Sequence, residues 1–224
     1  MKKQKDPYQH IDYEFCKAKN EKQQTYINAL NQKETKILFA IGPAGTGKTL
    51  IACNHAMKLL LGASIQRVII TRPIVPVEEE EHGFLPGTLV EKMAPWTRPI
   101  MDVFEEFYHP KEIEYLVEEN KIEIAPLEYM IGRTFKNAII LADEMQNATQ
   151  EQMKMLLTRI GDNSKLIVNG DLAQHDRGFA DNGLLNFLQR LKEDVSDMMG
   201  LIEFSNKEIE RHPAVSEVLR IYRS

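Results

Sequence analysis

Gly42-Pro43-Ala44-Gly45-Thr46-Gly47-Lys48-Thr49, with Leu50 behind it, has the spacing Gly-x-x-x-x-Gly-Lys-Thr, and those residue types in that order can hold phosphate. Gly42, Gly45 and Gly47 let the backbone turn its N–H groups onto phosphate oxygens with no Cβ in the way. A helix beginning near Lys48 points its positive end at the same anion. Lys48 is expected to reach the β and γ phosphates, and Thr49 a Mg²⁺ ion. A second group with separable chemistry lies downstream, where the apolar run Ala138 to Ala142 ends in Asp143-Glu144. Asp143 can hold the Mg²⁺ shell, while Glu144 can polarise a water for attack on the γ phosphate. Taken alone, the pair reads equally as a helix cap followed by first-turn charge.

Other polar groups fall at similar positions. Gln23, with Tyr26 one turn later and some twenty residues before the loop, is placed to read an adenine edge; a solvated helix glutamine has the same spacing. Arg72 follows the apolar run Arg67 to Thr71, at the strand end where open parallel sheets bind ligands, although a surface arginine fits there too. Lys165 to Asn169 ends in Gly170-Asp171-Leu172-Ala173-Gln174-His175-Asp176, whose polar groups can sense the γ phosphate or form a plain turn. Arg133 faces no obvious acid in its own stretch of sequence.

These groups require strands that end together. Ile37 to Ile41, Arg67 to Thr71, Lys121 to Ile124, Ala138 to Ala142, Lys165 to Asn169 and Leu201 to Phe204 are expected strands. Helical spacing lies between them over Leu50 to Leu61, Lys111 to Glu119, Thr149 to Ile160 and Gly183 to Leu191, with a helix or helix pair over Asp12 to Leu30 before and Ala214 to Tyr222 after. Strands alternating with helices predict an α/β fold, a parallel sheet covered on both faces with right-handed crossovers. Pro76 to Gly87, containing Glu78 to Glu81, reads as an inserted loop. Residues 1–11 read as a flexible tail and 12–224 as one domain.

Composition bounds the function. The chain has 224 residues, 43% hydrophobic and 27% charged, with a net charge of -5, so no global basic field announces a nucleic-acid partner. Cys16 and Cys53 lie far apart, which predicts neither a disulfide framework nor a zinc site and fits a reducing cytoplasm. No leader segment is evident, and the apolar runs fall short of the roughly 18 residues of a membrane helix, so a cytoplasmic, membrane-free protein is expected. A guanine reader of the form Asn-Lys-x-Asp is absent: Asn120-Lys121 continues Ile122-Glu123, and Asn206-Lys207 continues Glu208-Ile209. A carboxylate placed to activate water favours hydrolysis over transfer to an acceptor.

Several further motifs stand in fixed order: Thr71-Arg72-Pro73, Gly83-Phe84-Leu85-Pro86-Gly87, Gly132-Arg133-Thr134, Asp143-Glu144-x-Gln146-Asn147, Leu157-Thr158-Arg159-Ile160-Gly161, Gly170-Asp171-x-x-Gln174-x-Asp176 and Arg211-His212-Pro213. Together with the phosphate loop they resemble the PhoH family, over roughly Gln23 to Tyr222. That resemblance implies a RecA-like three-layer P-loop ATPase related to the motor core of superfamily one helicases. It implies ATP and Mg²⁺ as cofactors, a homo-oligomeric, hexameric ring, and single-stranded RNA or DNA as load. By the same resemblance Gln23 contacts adenine, Gly45 to Thr49 the phosphates, Asp143 and Glu144 metal and water, and Gln174 the γ phosphate. With ATP at a subunit interface, a neighbour's Arg211, Arg159 or Arg133, in falling order, would supply transition-state charge. A switch ATPase acting on a protein partner is the alternative that the acidic balance favours.

Overall fold

The computed structural model describes residues 16–73, 98–174, 182–210 and 213–222. Six parallel strands form one sheet: β1 (Ile37–Ile41), β2 (Arg67–Thr71), β3 (Ile122–Ile124), β4 (Ala138–Ala142), β5 (Lys165–Gly170) and β6 (Met199–Glu203), in the order β3-β2-β4-β5-β1-β6. The helices are α1 (Glu21–Asn31), α2 (Lys48–Leu61), α3 (described over 98–105), α4 (Pro110–Glu118), α5 (Gln150–Leu157), α6 (Gly183–Glu193) and α7 (Pro213–Tyr222).

The strands read as continuous apolar runs because both of their faces are covered. Successive side chains point to opposite sides, so Leu38, Ala40, Val68, Ile70, Ile139, Leu141 and Ile167 join one core, with Tyr26, Ile51, Met57, Phe104 and Leu116 of α1 to α4. Their neighbours Phe39, Ile41, Ile69, Ile140, Leu166 and Val168 join the other, with Met153 and Leu156 of α5 and Leu184 and Leu188 of α6. The expected α/β three-layer arrangement is therefore present.

The strand separating the phosphate-loop strand from the acidic strand is β5, which pairs Leu166 with Ile37 on one side and Ile140 on the other. It comes later in the chain than either, whereas the elements lying between them in sequence, β2 and β3, sit beyond β4. Several boundaries also differ from expectation. α1 begins at Glu21, where the Asn20 side chain accepts from the Gln23 N–H at 2.9 Å, so residues 16–20 are not helical. α5 ends at Leu157, and Ile160 instead bridges Phe135 ahead of β4 and β5. The Arg159 guanidinium donates to the Met155 carbonyl at 3.1 Å and to the Arg133 carbonyl at 3.2 Å, tying that helix end to the neighbouring segment.

At its other end α5 carries a reciprocal cap: the Thr149 hydroxyl accepts from the Gln152 N–H at 3.2 Å, and the Gln152 side chain accepts from the Thr149 N–H at 2.9 Å. Thr149→Ala removes the first of these bonds. A loss of about 1 kcal/mol is expected, read as a lower urea midpoint at unchanged slope.

Candidate active site

The carboxyl ends of β1, β4 and β5, with that of β2 beside them, meet at one edge of the sheet, and the chemistry-bearing residues follow them directly. After β1, Gly42, Gly45 and Gly47 have φ of 142°, 84° and 85°, which L side chains rarely adopt. At Gly42 a Cβ would also lie 2.4 Å from the Phe204 carbonyl oxygen, so the loop starts where only glycine fits. Lys48, the first residue of α2, folds its ammonium back onto the loop and donates to the carbonyls of Gly42 at 2.6 Å and Pro43 at 2.7 Å. Burial pushes its pKa down; the carboxylates of Asp171, Asp143 and Glu144 oppose that shift. A cavity of about 240 Å³ opens above, lined among others by Ala44, Gly45, Gly47, Lys48, Thr49 and Leu50. Asp143, Glu144, Asp171 and Gln174 close its far side. Pro43 and Thr46 shape the loop from behind, the Thr46 hydroxyl donating to the Pro43 carbonyl at 2.9 Å.

Asp143 is brought to Thr49 across 94 residues of sequence, and the Thr49 hydroxyl donates to its Oδ1 at 3.0 Å. Burial pushes the Asp143 carboxyl up from its ordinary value and the charge of Glu144 adds to this, while Arg72 and hydrogen bonds from Thr49 and Asn169 pull it back. A half-buried carboxylate raised chiefly by desolvation gains from a neighbouring cation. A hydroxyl beside a single carboxylate fits Mg²⁺, which takes one or two protein oxygens and fills its shell with phosphate and water.

Glu144 has φ of 54°, a left-handed backbone for a residue with a side chain. The Gln146 amide donates to its Oε2 at 2.5 Å, and the Arg72 guanidinium lies 3.5 Å from its Oε1. Gln146 is itself fixed, since its Oε1 accepts from the Asp171 N–H at 3.1 Å. Arg72, Gln146, Asn169 and Asp171 thus belong to the site, although sequence reasoning named none of them as catalytic. The available signal was positional: each follows or ends a buried strand, or falls within the motifs after it.

Gln23 is 4% exposed, which overturns its reading as a solvated helix glutamine. Its Oε1 accepts from the Lys19 N–H at 2.8 Å and its Nε2 donates to the Thr46 carbonyl at 3.1 Å, so it braces the phosphate loop. Tyr26 beside it is fully buried and stacks edge-on against Phe204 at 5.8 Å. The Glu210 N–H donates to the Gly45 carbonyl at 2.8 Å, which ties the segment after β6 to the same loop.

The arginines divide differently. Arg133 has an acid after all: Glu123 of β3 takes its guanidinium through hydrogen bonds of 2.5 and 2.8 Å, and the Phe135 ring lies 4.6 Å below. The Arg133 pKa is raised chiefly by the Glu123 hydrogen bond. Arg159 precedes β5, at the amino-terminal edge of the sheet, and neither arginine lines the phosphate cavity of its own chain. Arg211, His212, Asp176 and the segment Glu78 to Gly87 lie outside the described residues.

A parallel sheet with a glycine-rich phosphate loop after β1 and a metal-type carboxylate after β4 defines a P-loop nucleoside triphosphate-binding protein. The chain belongs to the PhoH family, whose model, described as PhoH-like protein, matches residues 15–223. It is therefore a PhoH-family ATP-binding protein. It is 42% identical over 209 residues to a PhoH-like protein of Synechocystis sp., covering 93% of this chain and 62% of that one. Protein PhoH of Escherichia coli K12 is 42% identical over 209 residues, covering 92% of this chain and 57% of that protein. A PhoH-like protein of Mycobacterium tuberculosis is 44% identical over 201 residues, covering 89% and 56%. The chain thus spans about three fifths of the length of these relatives. A solved Pif1 helicase structure aligns at 14% identity with a TM-score of 0.36, covering 93% of this chain and 48% of that one, a likeness that carries no functional inference. Among the described residues no helix is long and apolar enough to cross a membrane.

Proposed function

We propose that this chain is a Mg²⁺-dependent ATPase that assembles as a homohexameric ring in the cytoplasm and couples hydrolysis to movement along, or remodelling of, single-stranded nucleic acid, RNA before DNA. The observation that supports the hydrolytic half is the joining of Thr49 to Asp143 at 3.0 Å beside a Glu144 held by Gln146 and Arg72. A Mg²⁺ ion held by Thr49 and Asp143 would supply positive charge against the charge developing on the phosphates. Lys48 and the loop N–H groups bind the phosphates, Thr49 and Asp143 hold the ion, and Glu144 orients the attacking water. Gln174 meets the γ phosphate at the far wall, and Gln23 acts on the nucleotide through the phosphate loop that it braces.

Arg133 and Arg159 do not line this cavity, and Arg72 is engaged with Glu144 at 3.5 Å, so in this reading the charge completing the transition state is supplied from elsewhere. This favours a neighbouring subunit as its source, through Arg211, Arg159 or Arg133, and so favours assembly as a ring.

The load is tested by ATP turnover with and without single-stranded RNA and DNA across a salt series, together with the mass in ATP. Stimulation that falls steeply as salt rises is expected, since phosphate contacts release counterions. A rate indifferent to both nucleic acids at low salt would select the alternative, a switch ATPase acting on a protein partner, as the net charge of -5 permits.

A further inference from the structure

A second cavity, of about 630 Å³, opens at the amino-terminal edge of the sheet, away from the nucleotide cavity. Lys33 and Lys36 come from the segment before β1, His55 from the flank of α2, Ser64 from the turn before β2, and Lys165 from the first position of β5. None of its described lining residues is acidic, and of the carboxylates nearby Glu34 alone acts on the Lys165 ammonium. In a chain of net charge -5 this is a local concentration of positive charge.

Part of that charge has a structural use. Lys165 is 9% exposed, and its ammonium donates to the carbonyls of Leu30 at 2.5 Å and Gln32 at 2.7 Å, closing the carboxyl end of α1. Those two bonds leave one of its three hydrogens uncommitted. Lys36 donates to the Lys33 carbonyl at 2.5 Å, which likewise leaves donors over.

Capping does not account for His55. Its side chain is 9% exposed, and its Nε2 is sealed from solvent without a hydrogen-bond partner. An orphaned buried ring nitrogen costs stability unless something else meets it. The surrounding charge tells the same way. Burial, then Lys165, then Lys58 hold the His55 pKa down at about 4. Burial and then Lys36 hold that of Lys165 down at about 8, against Glu34. Both groups sit in an excess of positive potential that an anion would relieve.

We propose that this cavity is a second anion site, which takes the phosphate group of a ligand on Lys33, Lys36 and Lys165, beside the His55 ring. Phosphate fits better than a lone carboxylate, because several oxygens at one centre can meet several lysine point charges together. The volume lies within the range of ordinary small-ligand pockets. Phosphate esters reach it from two sources, a free mononucleotide or the backbone of a strand. The proposal does not depend on ATP hydrolysis at the other edge.

The test follows the His55 ring by NMR in the full chain with labelled histidine, the signals assigned through His55→Gln. Inorganic phosphate, AMP and a single-stranded RNA oligonucleotide are titrated separately against chloride at matched ionic strength. A saturable movement of the His55 signals that chloride does not reproduce is expected. Lys33 and Lys36 are exposed, so Lys33→Ala/Lys36→Ala leaves the core intact and should weaken binding about tenfold for each charge-assisted hydrogen bond removed. Saturation at lower concentration by AMP than by the oligonucleotide identifies the free ester as the source, and the reverse order identifies the strand. Still His55 signals with all three probes overturn the proposal, as does an undiminished response in the double variant. Because His55 lies on the helix that begins at Lys48, a response that disappears in Lys48→Ala, and so arises from the phosphate loop, also overturns the proposal.

Discussion

Glu144→Gln is expected to bind ATP and Mg²⁺ as the wild type does and to release phosphate about 100-fold to 10,000-fold more slowly, the range for loss of a positioned proton acceptor. The shape is kept, because an amide occupies the space of the carboxylate and one oxygen still accepts from Gln146. What is lost is the charge that polarises water and the attraction to Arg72, whose nitrogen lies 3.5 Å from the second oxygen. Retained binding follows from the neighbouring acid. The charge of Glu144 adds to the burial that raises the Asp143 carboxyl, so its removal makes Asp143 easier to ionise and easier to complete with a metal. Fluorescent-nucleotide binding and steady-state phosphate release separate the two effects. Wild-type turnover in this variant would remove Glu144 from the mechanism, and lost binding would recast it as a structural support of the loop.

The site's two principal parts are legible in the sequence for a physical reason. A strand buried on both faces must be apolar throughout, so the first polar residues after it mark the edge where ligands bind, as at Gly42 and Asp143. The partners of those residues are harder to read, because they depend on strand order. β5 inserts between β4 and β1, which brings Asn169 and Asp171 to Thr49 and Gln146, and nothing local to Lys165–Gly170 announces that neighbourhood. Arg133 shows the same limit. Its acid, Glu123, is ten positions earlier, on a strand whose pairing with β2 sets where it lies. Gln23 is legible as a candidate but not as a brace, since Thr46 meets it only once α1 packs beside the loop. The end of α5 is misread because the 3.6-residue spacing continues to Ile160, while the Phe135 bridge claims that residue for the sheet edge.

Lys48→Ala is expected to lose both nucleotide affinity and turnover, with the rate falling by about 100-fold to 1,000-fold, as when one preorganised donor to developing charge is removed. The ligand-free structure explains why affinity falls as well. The ammonium is poised over the loop on the Gly42 and Pro43 carbonyls, largely stripped of water, and burial holds its pKa down. A triphosphate arriving in the cavity offers it a full counter-charge in place of two neutral carbonyls, so a desolvation cost already met in the fold becomes binding free energy. Alanine forfeits that exchange. The same substitution also frees the two carbonyls, but the glycine φ angles and the braces from Gln23 and Glu210 remain. Stability should therefore fall by only about 1 kcal/mol. A thermal melt distinguishes a vacated loop from an unfolded one, and calorimetric titration with ATP reads the affinity. Wild-type affinity and turnover together would show that the phosphates do not meet this lysine, and a collapse of the melt would show that it serves the fold before the ligand.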